Sequence, residues 1–557
     1  MAYRRHEKDG DGVERLETGG NGSFHHENSR PVAPMLDHGI SLDRENQLQR
    51  GLKSRHIQFL ALGGAIGTGL FVGSGGILRT VGPVPLWLGY LSMMAVVWIV
   101  MNNIAELATY LPMKGITLPY FTERYVDASL AFAAGWNYWY TYSILVGAEA
   151  TAGAILLDYW KTPVPAWVWI LIIMLVILIL NIIAVEVFGE AEFWFASIKF
   201  LTIMGLIIVG IVIMAGGAPN HKATGFTYWK DPGAFHEYIK TGSAGRFLAY
   251  WLAFIRAGFS FVTSPELIGL AAGETVAPRR NLPKAAKRFL ARLAVFYGVS
   301  SLIVGAIVPY TEPRLLSPDS NANASPWVIG IQNAGIGGLN HVINAAILTS
   351  AWSAGNAFLY SGSRVLYSMA QNSQAPAVFG KTTRRGVPWV AVLATWLLGC
   401  LAFLNVSNNG AEVFAWFSNL CTISGYIAWV VVNITYLRFR SALVYQGLLD
   451  TLPFKTPFQP YATWAVMVVI VLLTLTNGFS VFVASMWNYQ DFLAAYITLP
   501  AFALLYFGHK IWFRTPFLKP LPEIDVVTGK KEMDDLCAAD VDPVPKNIMQ
   551  RIWFWIA

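Results

Sequence analysis

The sequence predicts an all-α membrane protein with twelve transmembrane helices, of which the first and the sixth are broken. Two observations support this class. Hydrophobic residues make up 55% of the 557 residues and charged residues only 13%, against about 25% charged in typical soluble domains. Apolar stretches of about 20 residues also recur along the chain. The net charge of +7 needs no nucleic-acid partner, because basic residues in membrane proteins commonly mark cytoplasmic loops.

Twelve apolar stretches are long enough to cross roughly 30 Å of hydrocarbon. We number them as spans one to twelve, at 57–81, 84–111, 129–158, 164–185, 191–215, 246–275, 289–309, 340–370, 388–404, 411–436, 461–484 and 490–513. An even number of crossings puts both termini on the same side. We expect residues 1–55 to be a disordered N-terminal tail, 56–513 the transmembrane domain and 514–557 a C-terminal tail.

Lysine and arginine indicate the orientation. They concentrate in the loops after the sixth, eighth and tenth spans, at Arg279, Arg280, Lys284, Lys287, Arg288, Arg292, Lys381, Arg384, Arg385, Arg438 and Arg440. The loop after the ninth span has neither residue type and carries the glycosylation sequon Asn405-Val406-Ser407. The positive-inside rule therefore predicts that both termini are cytoplasmic.

Two spans contain residues that disfavour a continuous helix. The first reads Gly63-Gly64-Ala65-Ile66-Gly67-Thr68-Gly69, and each glycine costs roughly 1 kcal/mol against alanine in a helix interior. The sixth holds Gly258 and Pro265, and proline removes a backbone donor. Irregular backbone at membrane depth persists only where it is buried in protein or lines a cavity.

The two irregular spans occupy corresponding places, five spans apart and in opposite directions. Such a pair is a strong sequence indicator of a transporter's substrate site. It predicts a five-plus-five inverted repeat followed by two further helices. The alternative is that these glycines only allow close helix packing.

Four motifs carry a family resemblance: GGAIGTGLFVGSG at 63–75, Phe132 to Tyr138 (FAAGWNY), Glu190 to Lys199 (EAEFWFASIK) and Ala272 to Pro283 (AGETVAPRRNLP). Together they resemble the fungal amino-acid permeases of the amino acid–polyamine–organocation (APC) superfamily, over roughly 45–557. The segments from Tyr142 and from Arg256 are most similar to its proline permeases. The resemblance implies a LeuT-like fold and symport of an amino acid with a proton across the plasma membrane, with the proton as coupling ion and no cofactor.

The predicted substrate site has two ends. N–H groups at a half-helix N-terminus suit the substrate carboxylate, which we assign to Gly67, Thr68 and Gly69. The Ala65 carbonyl is a candidate for the ammonium. Phe259, at the sixth-span break, matches the position that similar proline permeases use for binding and gating, with Val262 as a secondary candidate; the alternative is a core aromatic.

Ionisable residues inside the spans are functional hypotheses because their insertion is costly. Glu149 can receive the substrate ammonium, carry the proton, or pair with Arg256. Lys199 is a candidate proton carrier, against the alternative that it snorkels to the interface. Glu106 and Glu266 match acidic positions of the family, and we expect structural pairing or gate control from each.

No catalytic or metal-binding constellation is expected, so an enzyme is disfavoured. The open alternatives are a permease of broader or cationic specificity and a nutrient-sensing receptor of the same fold. The expected partners are the amino-acid substrate, the proton and the bilayer. By analogy with the family, the ubiquitin machinery would act on tail lysines such as Lys8 and Lys53.

Overall fold

The structure of this chain, a computed structural model, is built almost entirely of helices joined by short connections. It describes residues 67–111, 118–161, 163–183, 185–266, 278–315 and 325–531, together with residues 534 and 547. This agrees with the predicted all-α class. The first part of the first span, including Ala65, lies outside the described residues.

The described helices follow the predicted spans, and the span numbers are kept for them. In chain order they are Ser74–Val81, Pro83–Tyr110, Ala128–Asp158, Ala166–Ile183, Val185–Met214, Gly242–Ala257, Pro278–Leu293 with Ser300–Ile307, Leu339–Gln371, Trp389–Gly399, Gly410–Tyr445, Tyr461–Leu475, and Tyr489–Tyr496 with Thr498–Phe513. Two short helices, Leu118–Tyr125 and Pro326–Asn333, lie between spans.

Length and apolar composition identify nine membrane-crossing candidates among the described residues. The number becomes ten if the pair at 489–513, bent by 42°, is one span. Gly69–Val81 and Tyr461–Leu475, at the first and eleventh spans, are apolar but shorter. The chain is a multi-pass membrane protein, and the count of twelve stays a prediction.

Local sequence explains where several spans begin. The Asp127 carboxylate accepts a hydrogen bond of 2.8 Å from the backbone N–H of Leu130 at the start of the third span. The Asn409 side chain accepts one of 2.9 Å from Ala411 at the start of the tenth. Such caps satisfy backbone donors that a helix N-terminus leaves unpaired. Pro83 begins the second span, where its missing N–H costs nothing.

Burial separates central from peripheral spans. We compared the buried share of an apolar 18-residue stretch in each helix. It is 89% in the third span and 83% in the tenth, but only 28% in the fourth and in the ninth. The third and tenth spans therefore form the centre of the bundle, and the fourth and ninth expose most of their apolar surface. Polar side chains on the central spans are consequently enclosed by protein.

Part of the predicted C-terminal tail packs onto the helices. Ile524 and Val526 are buried in a hydrophobic cluster with Tyr110, Tyr125 and Phe439. Arg124 donates to the carbonyls of Asp525 (2.7 Å) and Thr528 (2.8 Å). We call this cluster, with the helix Leu118–Tyr125 and residues 519–528, the docking face.

Candidate functional site

The described part of the first span begins at the irregular glycine-rich turn. Gly67 precedes Thr68, a π-helical turn covers Gly69–Gly73, and a regular helix follows from Ser74. Thr68 is fully buried, and its hydroxyl donates a hydrogen bond of 3.0 Å to Oε1 of Glu149 on the third span. A Cβ placed on Gly67 would lie 3.6 Å from the same oxygen. The predicted glycine turn and the predicted carboxylate therefore meet.

The Glu149 carboxylate is only partly satisfied by the protein. The side chain is buried, with 3% of its surface exposed. Oε1 accepts from Thr68, but Oε2 has no hydrogen-bond partner among the described residues. Buried polar atoms normally have partners, so this oxygen is suited to a ligand. Because the Thr68 hydroxyl is donated to Glu149, a substrate carboxylate would have to compete with Glu149 for that proton.

The sixth span departs from α-helical geometry where the sequence predicted irregularity. The helix Gly242–Ala257 gives way to a 3₁₀ turn at Gly258–Phe261. Val262 then has an extended ψ of 133°, and Thr263 has a φ of +67°, which is unfavourable for a β-branched residue. The hydroxyls of Thr263 and Ser264 are buried and, within the described ranges, have no hydrogen-bond partner.

The two irregular turns touch each other. A Cβ on Gly69 would lie 2.9 Å from the Cα of Ser260, a separation that real Cβ atoms do not reach, so only glycine fits without movement of backbone. Tyr90 on the second span donates to the Gly69 carbonyl (3.3 Å) and lies 3.0 Å from the Ser260 hydroxyl. Tyr297 on the seventh span donates to the Ser260 carbonyl (2.9 Å). Two tyrosines thus hold the turns together.

Phe259 and Val262 face the tenth span. The Phe259 ring lies edge-on to Phe414, with centroids 5.6 Å apart and an interplanar angle of 87°. Val262 packs on Gly425. In contrast, Phe261 packs on Tyr297, with centroids 4.3 Å apart. Phe414 is therefore the aromatic partner of Phe259, the residue predicted to act in gating. Sequence reasoning did not identify Phe414.

Lys199, on the fifth span, is influenced by other charged side chains. It is buried with 1% exposed, which contradicts the snorkelling alternative. Its charge interacts with two carboxylates, Glu149 and Glu192. Sequence reasoning missed Glu192 as a site residue. Its signal was its spacing, since seven residues, or two helical turns, place Glu192 and Lys199 on one face of the fifth span.

Arg256 does not pair with Glu149, which corrects one of the interpretations above. Its side chain is exposed, and Nη1 donates a hydrogen bond of 3.2 Å to the Thr80 hydroxyl near the end of the first span. Glu149 is instead bonded by Thr68. A long flexible cation reaches a neighbouring hydroxyl at the exposed side, where its charge stays solvated.

Glu106 and Glu266 have different surroundings. Glu106 is fully buried and forms an ion pair of 3.1 Å with Arg440. It also accepts from the Thr456 N–H (3.1 Å) and hydroxyl (2.8 Å). This arrangement suits structural pairing. Oε2 of the buried Glu266 has no hydrogen-bond partner in the part of the chain that the structure describes.

The fold is that of a multi-pass membrane transporter. Its architecture is similar to that of a solved manganese transporter from Eremococcus coleocola, with a TM-score of 0.52, 15% identity, and coverage of 86% of this chain and 99% of that one. The model of the amino acid permease family matches residues 56–521. The chain therefore belongs to the amino acid permease family.

Individual relatives agree with this assignment. The chain is 53% identical over 519 residues to a proline-specific permease of Emericella nidulans, covering 92% of this chain and 94% of the relative. It is 53% identical over 499 residues to a probable proline-specific permease of Schizosaccharomyces pombe, covering 89% and 90%. The resemblance to fungal amino-acid permeases is confirmed, and with it the prediction of a transporter rather than an enzyme.

Proposed function

We propose that this chain is a proton-coupled symporter that imports L-proline, or a small neutral amino acid of similar shape, across the plasma membrane. One geometric observation carries the proposal: Oε2 of buried Glu149, beside the Gly67–Gly69 turn, has no hydrogen-bond partner among the described residues. An ammonium group is the ligand that would satisfy this oxygen. The two relatives named as proline-specific support the choice of substrate.

The substrate carboxylate would bind at the backbone N–H groups of Gly67, Thr68 and Gly69. Glycine lets a ligand approach the backbone closely, and a half-helix N-terminus favours negative charge. The ammonium would then lie toward Glu149. The Ala65 carbonyl, outside the described residues, stays a candidate for the same group.

Phe259 would cover the hydrocarbon part of the substrate. Its perpendicular contact with Phe414 on the tenth span supports this role, because such a contact leaves at least one face of the Phe259 ring for other contacts. Val262, at the point where the backbone turns extended, would shape the same side. A compact ring such as that of proline would pack against an aromatic face.

The coupling proton would act on the buried charges near the turn. Glu149 interacts with Lys199, so a proton on either group changes how strongly Glu149 holds a substrate ammonium. Arg256, exposed near Thr80, and Glu266, beside the sixth-span turn, would modulate access to the site. We assign structural pairing to Glu106 instead, because its oxygens are bonded by Arg440 and Thr456.

The orientation follows from the loop charges. Both termini would be cytoplasmic. The tail lysines, including Lys8 and Lys53, would be available to the ubiquitin machinery that removes permeases from the cell surface. Both residues lie outside the described ranges.

The test of function is uptake of a panel of labelled amino acids by cells that lack their own permeases, with and without a proton uncoupler. We expect proline to be taken up best and the uncoupler to abolish its accumulation. Preferential uptake of lysine or arginine would favour the cationic alternative. Substrate-dependent signalling without uptake would favour a receptor. Uptake indifferent to the uncoupler and to external pH would refute proton coupling.

The site has a sharper test at Gly67. Gly67→Val should abolish uptake without reducing surface delivery, because the added methyl groups push against Glu149 Oε1, which lies 3.6 Å from the position of a Cβ. Gly67→Ala is the matched control, since a single Cβ at that distance is in ordinary contact. Normal uptake by the valine variant would show that the glycine turn is not part of the substrate site.

A further inference from the structure

Tyr90, on the second span, is buried beside the two irregular turns. None of its surface is exposed. Its ring packs on two other aromatic rings, with its centroid 5.8 Å from that of Tyr297 and 6.0 Å from that of Phe261. A substrate does not reach a side chain enclosed in this way. Any effect of Tyr90 on transport must therefore act through the atoms that its hydroxyl bonds.

The Tyr90 hydroxyl joins the two turns. It donates a hydrogen bond of 3.3 Å to the Gly69 carbonyl and lies 3.0 Å from the hydroxyl of Ser260. A hydroxyl has one proton to donate, so Ser260 is the donor in the second bond when the Tyr90 proton lies on Gly69. The result is a chain of hydrogen bonds that runs from Ser260 through Tyr90 to Gly69. We call this chain the hydroxyl relay, and the bonds in such a chain strengthen one another.

The relay and the backbone together limit the spacing of the turns. The Cβ that Gly69 lacks would lie 2.9 Å from the Cα of Ser260, so the turns are already in contact and cannot come closer. The relay opposes their separation. Tyr297, on the seventh span, also donates a bond of 2.9 Å to the Ser260 carbonyl. The spacing is thus limited in both directions.

This spacing matters because each turn would bind a different part of the substrate proposed above. The Gly67–Gly69 turn would bind the carboxylate, and Phe259 would cover the hydrocarbon part. Phe259 and Ser260 are neighbours in a 3₁₀ turn, which has three residues per turn, so their side chains point about 120° apart. Phe259 contacts Phe414 on the tenth span, whereas Ser260 contacts Tyr90 on the second. A shift of Ser260 would therefore move Phe259 relative to the carboxylate end.

We propose that Tyr90 is a positioning residue that sets, through the hydroxyl relay, the length of the substrate site and with it the size of the ring that the site accepts. This inference rests on the proposed function. The relevant competitor of proline is pipecolic acid, its homologue with a six-membered ring and the same carboxylate and secondary ammonium. One methylene in an apolar pocket changes binding by about tenfold or more. A site held at a fixed length would discriminate between the two rings in this way.

The test compares proline and pipecolic acid as substrates of the full-length protein in cells that lack their own permeases. Tyr90→Phe keeps the ring and its aromatic contacts and removes only the hydroxyl. The loss of such a hydrogen bond corresponds to about two- to tenfold in binding. The KM for proline should rise by this factor and the KM for pipecolic acid should change less, so the preference for proline falls. The maximal rate per molecule at the cell surface should stay near the wild-type value.

Ser260→Ala removes one bond of the relay from its other end. It should reduce the preference for proline in the same direction as Tyr90→Phe. The double variant should equal Tyr90→Phe, because residues that act in one chain do not have additive effects. Additive changes in the double variant would mean that Tyr90 does not act through Ser260.

A second pair of hydroxyls joins the same two spans and supplies the matched controls. The hydroxyl of Tyr250 lies 2.8 Å from that of Ser92 on the second span. Tyr250 belongs to the regular helix Gly242–Ala257, before the sixth-span turn. Tyr250→Phe and Ser92→Ala should therefore keep the wild-type KM for both substrates.

Three results would overturn the proposal. They are unchanged KM values in Tyr90→Phe, an equal rise of KM for both substrates, and the same loss of preference in the control variants. The second result would indicate general damage, and the third would indicate that any bond between these spans has this effect. If Tyr90→Phe does not reach the cell surface, Ser260→Ala is compared with the same controls.

The wild type separates this inference from the proposed function. Uptake of both compounds without a preference for proline would refute the role of the relay in ring size and leave the proposed function standing. A wild type that takes up neither compound would instead refute the proposed function, and this inference with it.

Discussion

Glu149 and Glu106 are both carboxylates buried in membrane-spanning helices, yet their surroundings differ. Glu106, beside the docking face, has an ion pair with Arg440 and two hydrogen bonds from Thr456. Glu149, at the glycine turn, has one hydrogen bond from Thr68 and one oxygen without a hydrogen-bond partner among the described residues. Burial alone therefore does not identify a functional acid. We predict that the unsatisfied binding capacity of the Glu149 carboxylate marks it as the acid that acts in transport.

The same contrast extends to the helices around each residue. At the docking face, apolar and aromatic side chains such as Tyr110, Tyr125 and Phe439 pack into a closed cluster. At the turns, backbone meets backbone at Gly69 and Ser260, and the hydroxyls of Thr263 and Ser264 lack partners in the described ranges. We expect changes at the turns to affect transport and changes at the docking face to affect stability.

The largest effect is expected at Gly69. In Gly69→Ala the new Cβ would lie 2.9 Å from Ser260 Cα, and backbone cannot turn aside as a flexible side chain can. Forcing the turns apart costs about 1–3 kcal/mol, and 1.4 kcal/mol corresponds to a factor of ten. Uptake should fall roughly tenfold or more, measured as initial rate per molecule at the cell surface.

Gly205→Ala is the control for this change. Gly205 lies on the fifth span, and a Cβ there meets no atom within 4 Å. Its uptake should equal that of the wild type. Equal uptake by both alanine variants would mean that the close approach of the two turns is not needed for transport.

Glu149→Gln and Glu106→Gln test the contrast directly. Glu106→Gln leaves Arg440 without its carboxylate partner, and breaking such a buried pair should cost about 3–5 kcal/mol of stability. Less protein should reach the surface, while the delivered molecules keep the wild-type KM for proline. Glu149→Gln should keep surface delivery and thermal stability but lose substrate affinity. The measurements are surface quantity, thermal unfolding of the purified protein and KM.

The opposite result would contradict the contrast between Glu149 and Glu106. A Glu106→Gln variant with unchanged stability and an altered KM would make Glu106 a gate residue, which is the alternative that the sequence left open.

A glycine run and a lone carboxylate are visible against an apolar background, which is why sequence reasoning selected Gly67, Thr68 and Glu149 as candidates. The structure brings these three residues together, and their role in binding stays a prediction. Lys199 was selected as a candidate for the same reason, because it is a charged residue in an apolar segment. Glu192 could have been found from its seven-residue spacing to Lys199, but charge spacing alone does not reveal that both side chains face protein rather than lipid.

Other contacts were beyond sequence reasoning because they join distant parts of the chain. Phe414 and Ser353 are ordinary members of apolar helices until the fold sets them against Phe259 and Glu192. The pairing of Arg256 with Glu149 was wrong because opposite charge does not determine which groups become neighbours. The described part of the C-terminal segment looked like a polar tail, yet Ile524 and Val526 are buried.

The smallest effect is expected from Glu123, on the short helix of the docking face. Its side chain accepts a hydrogen bond of 3.0 Å from Gln374, and its backbone carbonyl accepts one of 2.6 Å from Lys519. Burial raises the pKa of Glu123 to about 7, although Lys519 and Gln374 act in the opposite direction. The folded protein therefore binds this proton more tightly than the unfolded chain does. The resulting stability is present at low pH and is lost as the pH rises through about 7.

Thermal unfolding should therefore show a loss of about 1 kcal/mol of stability between pH 6 and pH 8 that depends on Glu123. Glu123→Gln removes the titrating group, so its stability should vary less over this range than that of the wild type. Glu523→Gln, at an exposed position, should keep the wild-type slope. Uptake at fixed pH should stay close to wild type in both variants, because neither residue lies at the turns. If Glu123→Gln instead abolished uptake while leaving stability intact, the docking face would belong to the transport machinery, and the division between the two regions would fail.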